Sequence, residues 1–130
     1  MKEIRSYRDL KVWQLGMDLT VELYRVTKSF PKEETYGLTS QIRRAASSIP
    51  ANIAEGHARG SKEYQQFLRI SQGSLTELET HLLLAQRVEI LQQGHLNELL
   101  QMTEQLGRML NKLQQALKNQ SPAPNPKSPE

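Results

Sequence analysis

Two adjacent arginines, Arg43 and Arg44, stand inside the most distinctive stretch of the chain, YGLTSQIRRAASSIPANIAEGHARGS from Tyr36 to Ser61. Their guanidinium groups emerge within one helical turn, and each offers a fixed fork of N–H donors suited to phosphate or carboxylate oxygens. Arg59 and Lys62 follow at the exit of the stretch, and Arg8 and Lys11 lie near the amino end. These six residues are the candidate nucleic-acid-binding set. Backbone contact without base reading is the expected mode. Only seven aromatic residues occur, Trp13 and Phe67 read as core, and no stacking platform for single-stranded bases is evident. A competing reading pairs Arg43 and Arg44 with carboxylates such as Glu55, Glu77 or Glu79 at a helix or subunit interface, leaving Arg59 and Lys62 as the free cations.

Other chemistries find less support. A di-metal carboxylate site in a helical bundle needs Glu-x-x-His on two helices, and no glutamate here is followed three residues later by histidine. Glu77 and His81 stand one turn apart without a second such pair, and His57 and His95 fall near expected helix ends. Ser47, Ser48, Ser71 and Ser74 have no histidine nearby in sequence, and small residues at helix crossings account for them. The run His57-Ala58-Arg59-Gly60-Ser61-Lys62 lacks the spacing of a phosphate-binding loop. With no cysteine there is no thiolate ligand or nucleophile and no disulfide. The expectation is a protein with no catalytic residues, no metal and no cofactor.

Four helices are expected to position these groups. The 130 residues suit one domain. The charged start MKEIRSYRDLKVW does not resemble a signal peptide, and no apolar run is long enough to span a bilayer, so a soluble, cytoplasmic protein without membrane partners is expected. Net charge is +3, and it is unevenly placed: the first 69 residues hold twelve Lys and Arg against eight Asp and Glu, the remainder five against six. A basic half attracts polyanions, although an ordinary solvated surface has the same look.

The first helix is expected from Arg8 to Lys28, with Asp9 in its opening turn. Leu10, Trp13, Met17 and Tyr24 follow one line along it, while Val12, Leu15, Leu19, Leu23 and Val26 follow another. So broad an apolar arc implies either a deeply buried helix or a second face covered by another subunit. Phe30-Pro31 stops it, and Lys32 to Gly37 forms a polar connection with room for one helical turn. In the second helix Leu38, Ile42, Ala45, Ile49 and Ile53 line one side, Pro50 introduces a bend, Ser47 is placed to satisfy the carbonyl that Pro50 frees, and Gly56 is the expected terminator.

Ser61 is the expected N-cap of the third helix. Its seam is Tyr64, Leu68, Ser71, Leu75, Leu78, Leu82 and Ala85, with Gly73 read as a close helix crossing. Leu96, Leu99, Thr103, Leu106, Leu110, Leu113 and Leu117 form the seam of the fourth. From Asn119 the chain turns proline-rich, QSPAPNPKSPE, holding four of the six prolines. The domain reading is a four-helix bundle over 1–118 and a disordered tail over 119–130. The fold class is all-α, an antiparallel up-and-down four-helix bundle.

The segments YRDLKVWQLGMDL, FPKEETYGLTSQIRRAASSIPANIAEG, RGSKEYQQFL and GSLTELETHLLLAQR together resemble the four-helix-bundle proteins of 23S ribosomal RNA intervening sequences, over roughly Tyr7 to Leu117. The family's second-helix residues Gln41, Ile42, Arg43, Arg44, Ala45, Ala46, Ser48, Ile49, Pro50, Asn52, Ile53, Ala54, Glu55 and Gly56 all stand in place. The resemblance implies assembly as a ring-shaped homopentamer without catalytic activity; taken with the basic half of the chain and a related branch that binds nucleic acid through a basic surface, it leads to the expectation of association with nucleic acid, RNA in particular. A related branch implies an alternative: an accessory variability protein that binds a reverse transcriptase and its RNA in a diversity-generating retroelement. The chain departs from the family where a glycine often closes the third helix. Glu89 stands there, with Gly94 as a competing terminator.

Overall fold

The computed structural model of the protein describes residues 3–120. Among them are four α-helices and no strand: α1 Lys11–Thr27, α2 Leu38–Arg59, α3 Ser61–Arg87 and α4 Gln93–Gln120, with 3-10 turns at Tyr7–Asp9 and Lys32–Glu34. Each helix packs on its two neighbours around the bundle, α1 on α2, α2 on α3, α3 on α4 and α4 back on α1, while the backbones of the diagonal pairs stay farther apart. Antiparallel register is fixed by pairs that cross between helices. Gly16 lies against Pro50, while Arg43 reaches Tyr24 and Thr27. Ser74 bonds Ser48, and Gln114 donates to Gln72 at 2.7 Å. The expected proline-rich tail lies outside the described residues except for Asn119 and Gln120, which continue α4.

The seams read from spacing are the core. All seven expected positions of α3, from Tyr64 to Ala85, are buried. In α4 Leu96, Leu99, Thr103, Leu106 and Leu110 are buried, and Leu113 and Leu117 pack partly against them. In α2 Ile42, Ala45, Ile49 and Ile53 are buried together with Ala46, Pro50 and Gly56. Trp13, expected in the core, is half-buried at its edge, with its ring edge-on to Tyr7. Phe67 is half-buried too. The Tyr64 hydroxyl is buried without a hydrogen-bond partner, and burial pushes its pKa up to about 12.

The broad arc of α1 is resolved by its two lines. Val12, Leu19 and Leu23 face the core, whereas Met17, Val21 and Tyr24 are 40, 54 and 44% exposed. Deep burial within the protomer is therefore not the explanation of that arc.

Helix ends differ from expectation at four places. Arg8 does not start α1. Ser6 Oγ accepts from the Arg8 N–H (3.1 Å), and Asp9 Oδ2 accepts from the Arg5 and Ser6 N–H groups at 2.8 and 3.2 Å. This reciprocal box caps the short Tyr7–Asp9 turn and defers the α-helix to Lys11. Gly56 does not end α2, because it is needed elsewhere: a Cβ there would lie 2.7 Å from Phe67 Cβ and 3.1 Å from Tyr64 Cδ1. The helix runs on to Arg59 and stops at Gly60, whose φ of +102° is open to glycine alone at low cost. Gly60, and not Ser61, occupies the cap of α3, so the connection between α2 and α3 is one residue long. Gly94 lies in the first turn of α4 and terminates nothing.

Gly73 is no helix crossing either, since a Cβ there would meet nothing within 4 Å. Close approach falls instead at Gly56, at Gly16 against the Pro50 ring, and at Gly107 against Leu75. Helix α2 passes through Pro50 unbroken. Ser47 does not serve the carbonyl freed there but donates to the Arg44 carbonyl at 3.3 Å. Carbonyls beside the proline are served by others: Ser71 Oγ donates to Ile49 O at 2.9 Å, and Asn52 Nδ2 donates to Ser48 O at 2.8 Å.

The end of α3 is closed by Glu89 at φ +66°, in the left-handed region. The Ile90 N–H bonds Ala85 O at 2.9 Å and the Glu89 N–H bonds Gln86 O at 3.0 Å, a Schellman arrangement with a glutamate where glycine is usual. Replacing Glu89 by Gly is expected to stabilise the fold by about 1 kcal/mol, because the Cβ penalty of the left-handed state disappears. The check is the urea midpoint, which should rise with an unchanged slope.

Candidate nucleic-acid interface

The six candidate cations do not form one patch. Arg43 and Arg44 sit on the first half of α2, beside the carboxyl end of α1. Arg8 and Lys11 lie at the amino end of α1, and Arg59 and Lys62 at the turn from α2 to α3. Because α1 and α2 are antiparallel, these four share the opposite end of the bundle, about 24 Å along α2 from Arg43 at 1.5 Å per residue.

Arg43 is committed to the protomer. Its Nε donates to Thr27 Oγ1 at 2.9 Å, its Nη2 donates to the Tyr24 carbonyl at 3.3 Å, and its guanidinium carbon lies 4.4 Å from the centre of the Tyr24 ring. The Thr27 hydroxyl donates onward to Leu23 O at 2.7 Å. The side chain thus straps α2 onto the last turn of α1, where free carbonyls and the negative dipole end favour a cation. Its charge is met by no carboxylate. Arg44 is exposed and donates to Gln41 Oε1 at 2.8 Å. The competing pairing of these arginines with Glu55, Glu77 or Glu79 does not occur within the protomer: among the described residues neither has an ion pair.

Arg59 departs in the other direction. Expected to be free, it donates from Nε to Glu55 Oε2 at 2.7 Å, lies 3.9 Å from Glu63 Oε2, and sits 5.2 Å from the centre of the Phe67 ring. The hydrogen bond that Arg59 donates to Glu55 and then the attraction of that carboxylate's charge raise the Arg59 pKa above its ordinary value. With two carboxylates around it, Arg59 presents little net positive field. Lys62, Lys11 and Arg8 are exposed and make no ion pair among the described residues, and Arg8 lies 5.5 Å from the Tyr7 ring centre.

Cations without an ion pair among the described residues stand at both ends: Arg8, Lys11 and Lys62 at one, Arg43 and Arg44 at the other, where α1 finishes and α2 begins. An open groove there is walled by Arg43 and Arg44, by the rings of Tyr24 and Tyr36, and by the hydroxyls of Thr35, Thr39, Ser40 and Ser47. No carboxylate lines it. Glu34, close in sequence, turns away to accept from the Leu38 N–H at 3.1 Å and cap α2. Lys28 stands free nearby on the carboxyl end of α1, while Arg25 pairs with Glu22. Tyr36 is 95% exposed. Its exposure was not legible in the sequence, because a count of aromatics does not say which of them face water.

A second surface lies on the adjoining α2–α3 side. Leu84 and Val88 of α3 and its C-terminal turn are 47 and 53% exposed and line a groove with Leu38, Glu77 and His81. His81 Nε2 is 3.5 Å from Glu77 Oε2. Among the described residues no three His, Asp or Glu side chains converge as metal ligands, and no helix is long and apolar enough to cross a membrane.

Comparison with known proteins places the chain. The fold is similar to the crystal structure of a protein of unknown function from the S23 ribosomal protein family of Bacteroides thetaiotaomicron VPI-5482, with a TM-score of 0.74 and 21% identity over 80% of this chain and 95% of that one. At that identity the likeness concerns the fold. No curated protein matches in sequence. The profile of the 23S rRNA-intervening sequence proteins matches residues 8–112, which takes in all of α1, α2 and α3 and most of α4. With that match over most of its length, the chain belongs to the 23S rRNA-intervening sequence protein family.

Proposed function

We propose that this protein is a non-catalytic bundle that assembles as a ring of five and associates with RNA through its cationic surface. The observation that carries the RNA association is the carboxylate-free groove at the α1–α2 end, where Arg43 and Arg44 stand without an ionic partner. Phosphate is the natural complement of such a site, because guanidinium forks bind its oxygens in pairs. Family membership supplies the setting, an RNA one.

Assembly is supported by two unlike apolar strips on one protomer. Met17, Val21 and Tyr24 lie on α1, and Leu84 and Val88 lie one turn apart at the end of α3, the helix diagonal to α1. When one copy's α1 strip meets another copy's α3 strip, the contact is heterologous, and such contacts close into rings. The closure number of five follows the family resemblance. A ring multiplies weak phosphate contacts by avidity, so a modest charge per protomer suffices.

The test is binding of a labelled RNA oligonucleotide at several salt concentrations. Affinity should fall with a log–log slope of about −2 or steeper, the release of counterions from about three phosphates of a single strand. Binding that is absent, or insensitive to salt, would remove the RNA reading.

A further inference from the structure

We propose that the groove between the end of α1 and the start of α2 is a seat for one nucleotide of single-stranded RNA, with the base stacked on Tyr36 and the adjacent phosphate held by Arg44. This inference rests on the RNA reading above and narrows it to a strand type and a site. The sequence favoured backbone contact alone, and three features of the structure argue for more.

The first is the state of the two tyrosines. The Tyr24 ring has the Arg43 guanidinium 4.4 Å from its centre, so that face is taken. Tyr36 is 95% exposed and makes no ring contact or hydrogen bond among the described residues. An aromatic ring left wholly in water beside cationic side chains offers a free π-face, and every base can stack on one.

The second is the division of labour between the arginines. Arg43 is tied to Thr27 and to the Tyr24 carbonyl, so it acts as a fixed positive wall. Arg44 is anchored only through Gln41, leaving its other donors for a ligand. A phosphate arriving there meets one preset charge and one adjustable fork.

The third is polarity. Hydroxyls of Thr35 and Ser40 complete the walls, and among the described residues no carboxylate lines them. The site therefore pairs a stacking surface with a phosphate seat, the combination that grips unpaired nucleotides. A base inside a duplex is already stacked on its neighbours and cannot reach Tyr36, so a duplex would engage only the charges.

Fluorescence anisotropy with a single-stranded RNA 12-mer and with the corresponding RNA duplex tests this on the full-length protein, using Tyr36→Ala, Tyr36→Phe and Arg44→Ala. Tyr36→Ala should weaken single-strand binding roughly tenfold, the usual loss of one stacked base, and leave duplex binding unchanged. Tyr36→Phe should retain the wild-type affinity, since the ring is kept. Arg44→Ala should weaken both ligands and make the single-strand salt slope shallower by about 0.7, one phosphate. Because Tyr36 is fully exposed, its replacement leaves the core untouched, and an unchanged helical circular dichroism signal confirms that. Salt-sensitive binding that survives Tyr36→Ala within twofold would overturn the nucleotide seat while the RNA reading stands. Wild-type protein that binds neither ligand would overturn both.

Discussion

Replacing Gly56 by Ala should destabilise the protein, although alanine is the better helix former. In an exposed helix interior the exchange gains about 1 kcal/mol. At Gly56 the new methyl would stand 2.7 Å from Phe67 Cβ and 3.3 Å from the Tyr64 carbonyl oxygen, both close to the α3 backbone. Neither neighbour can swing aside as the end of a long side chain does, so α2 and α3 must part locally. Overpacking of this kind typically costs 1–3 kcal/mol, and the helix gain only partly offsets it. A net loss of about 1 kcal/mol should lower the melting temperature by roughly 4 °C. Gly73→Ala is the internal control: it also lies inside a helix but faces open space, so it should raise the melting temperature by roughly 4 °C. Thermal denaturation of both variants at one protomer concentration checks the pair, since assembly couples to stability. Equal shifts of the same sign would show that close α2–α3 packing at Gly56 is not limiting.

Val21→Asp should convert the assembly to monomer without unfolding the helices. Val21 is 54% exposed and lies between Met17 and Tyr24 on the strip of α1 proposed to meet the next copy. A carboxylate forced into that contact without a partner loses several kcal/mol of hydration. Each interface should weaken by at least about 3 kcal/mol, more than a hundredfold. Leu84→Asp should act in the same way from the α3 side. Mixing the two variants gives a sharper reading. The Val21→Asp protein keeps its α3 strip, and the Leu84→Asp protein keeps its α1 strip, so one intact heterologous contact remains between them. Sedimentation should then show a one-to-one dimer that neither variant forms alone. A dimer in either variant by itself would mean that like strips pair with like, and a ring would not follow.

What the chain alone determined was the set of buried faces. The seam from Tyr64 to Ala85 was legible because a helix repeats every 3.6 residues, and that period is local information. The same holds for Ile42, Ile49 and Ile53, and for Leu96 through Leu110. Family membership was also legible, since the second-helix residues lie in one continuous stretch. Only the tertiary structure decided what depends on neighbours distant in sequence. Gly56 and Gly60 are both plausible terminators as residues, but Phe67 and Tyr64 pack on the first while the second carries φ +102°. Arg43, Arg44 and Arg59 are alike as letters. Thr27 and the Tyr24 carbonyl tie down Arg43, two carboxylates surround Arg59, and Arg44 bonds only the neutral Gln41 among the described residues. Charge on a surface is set by which partners folding brings to it, and the composition of a stretch does not contain that.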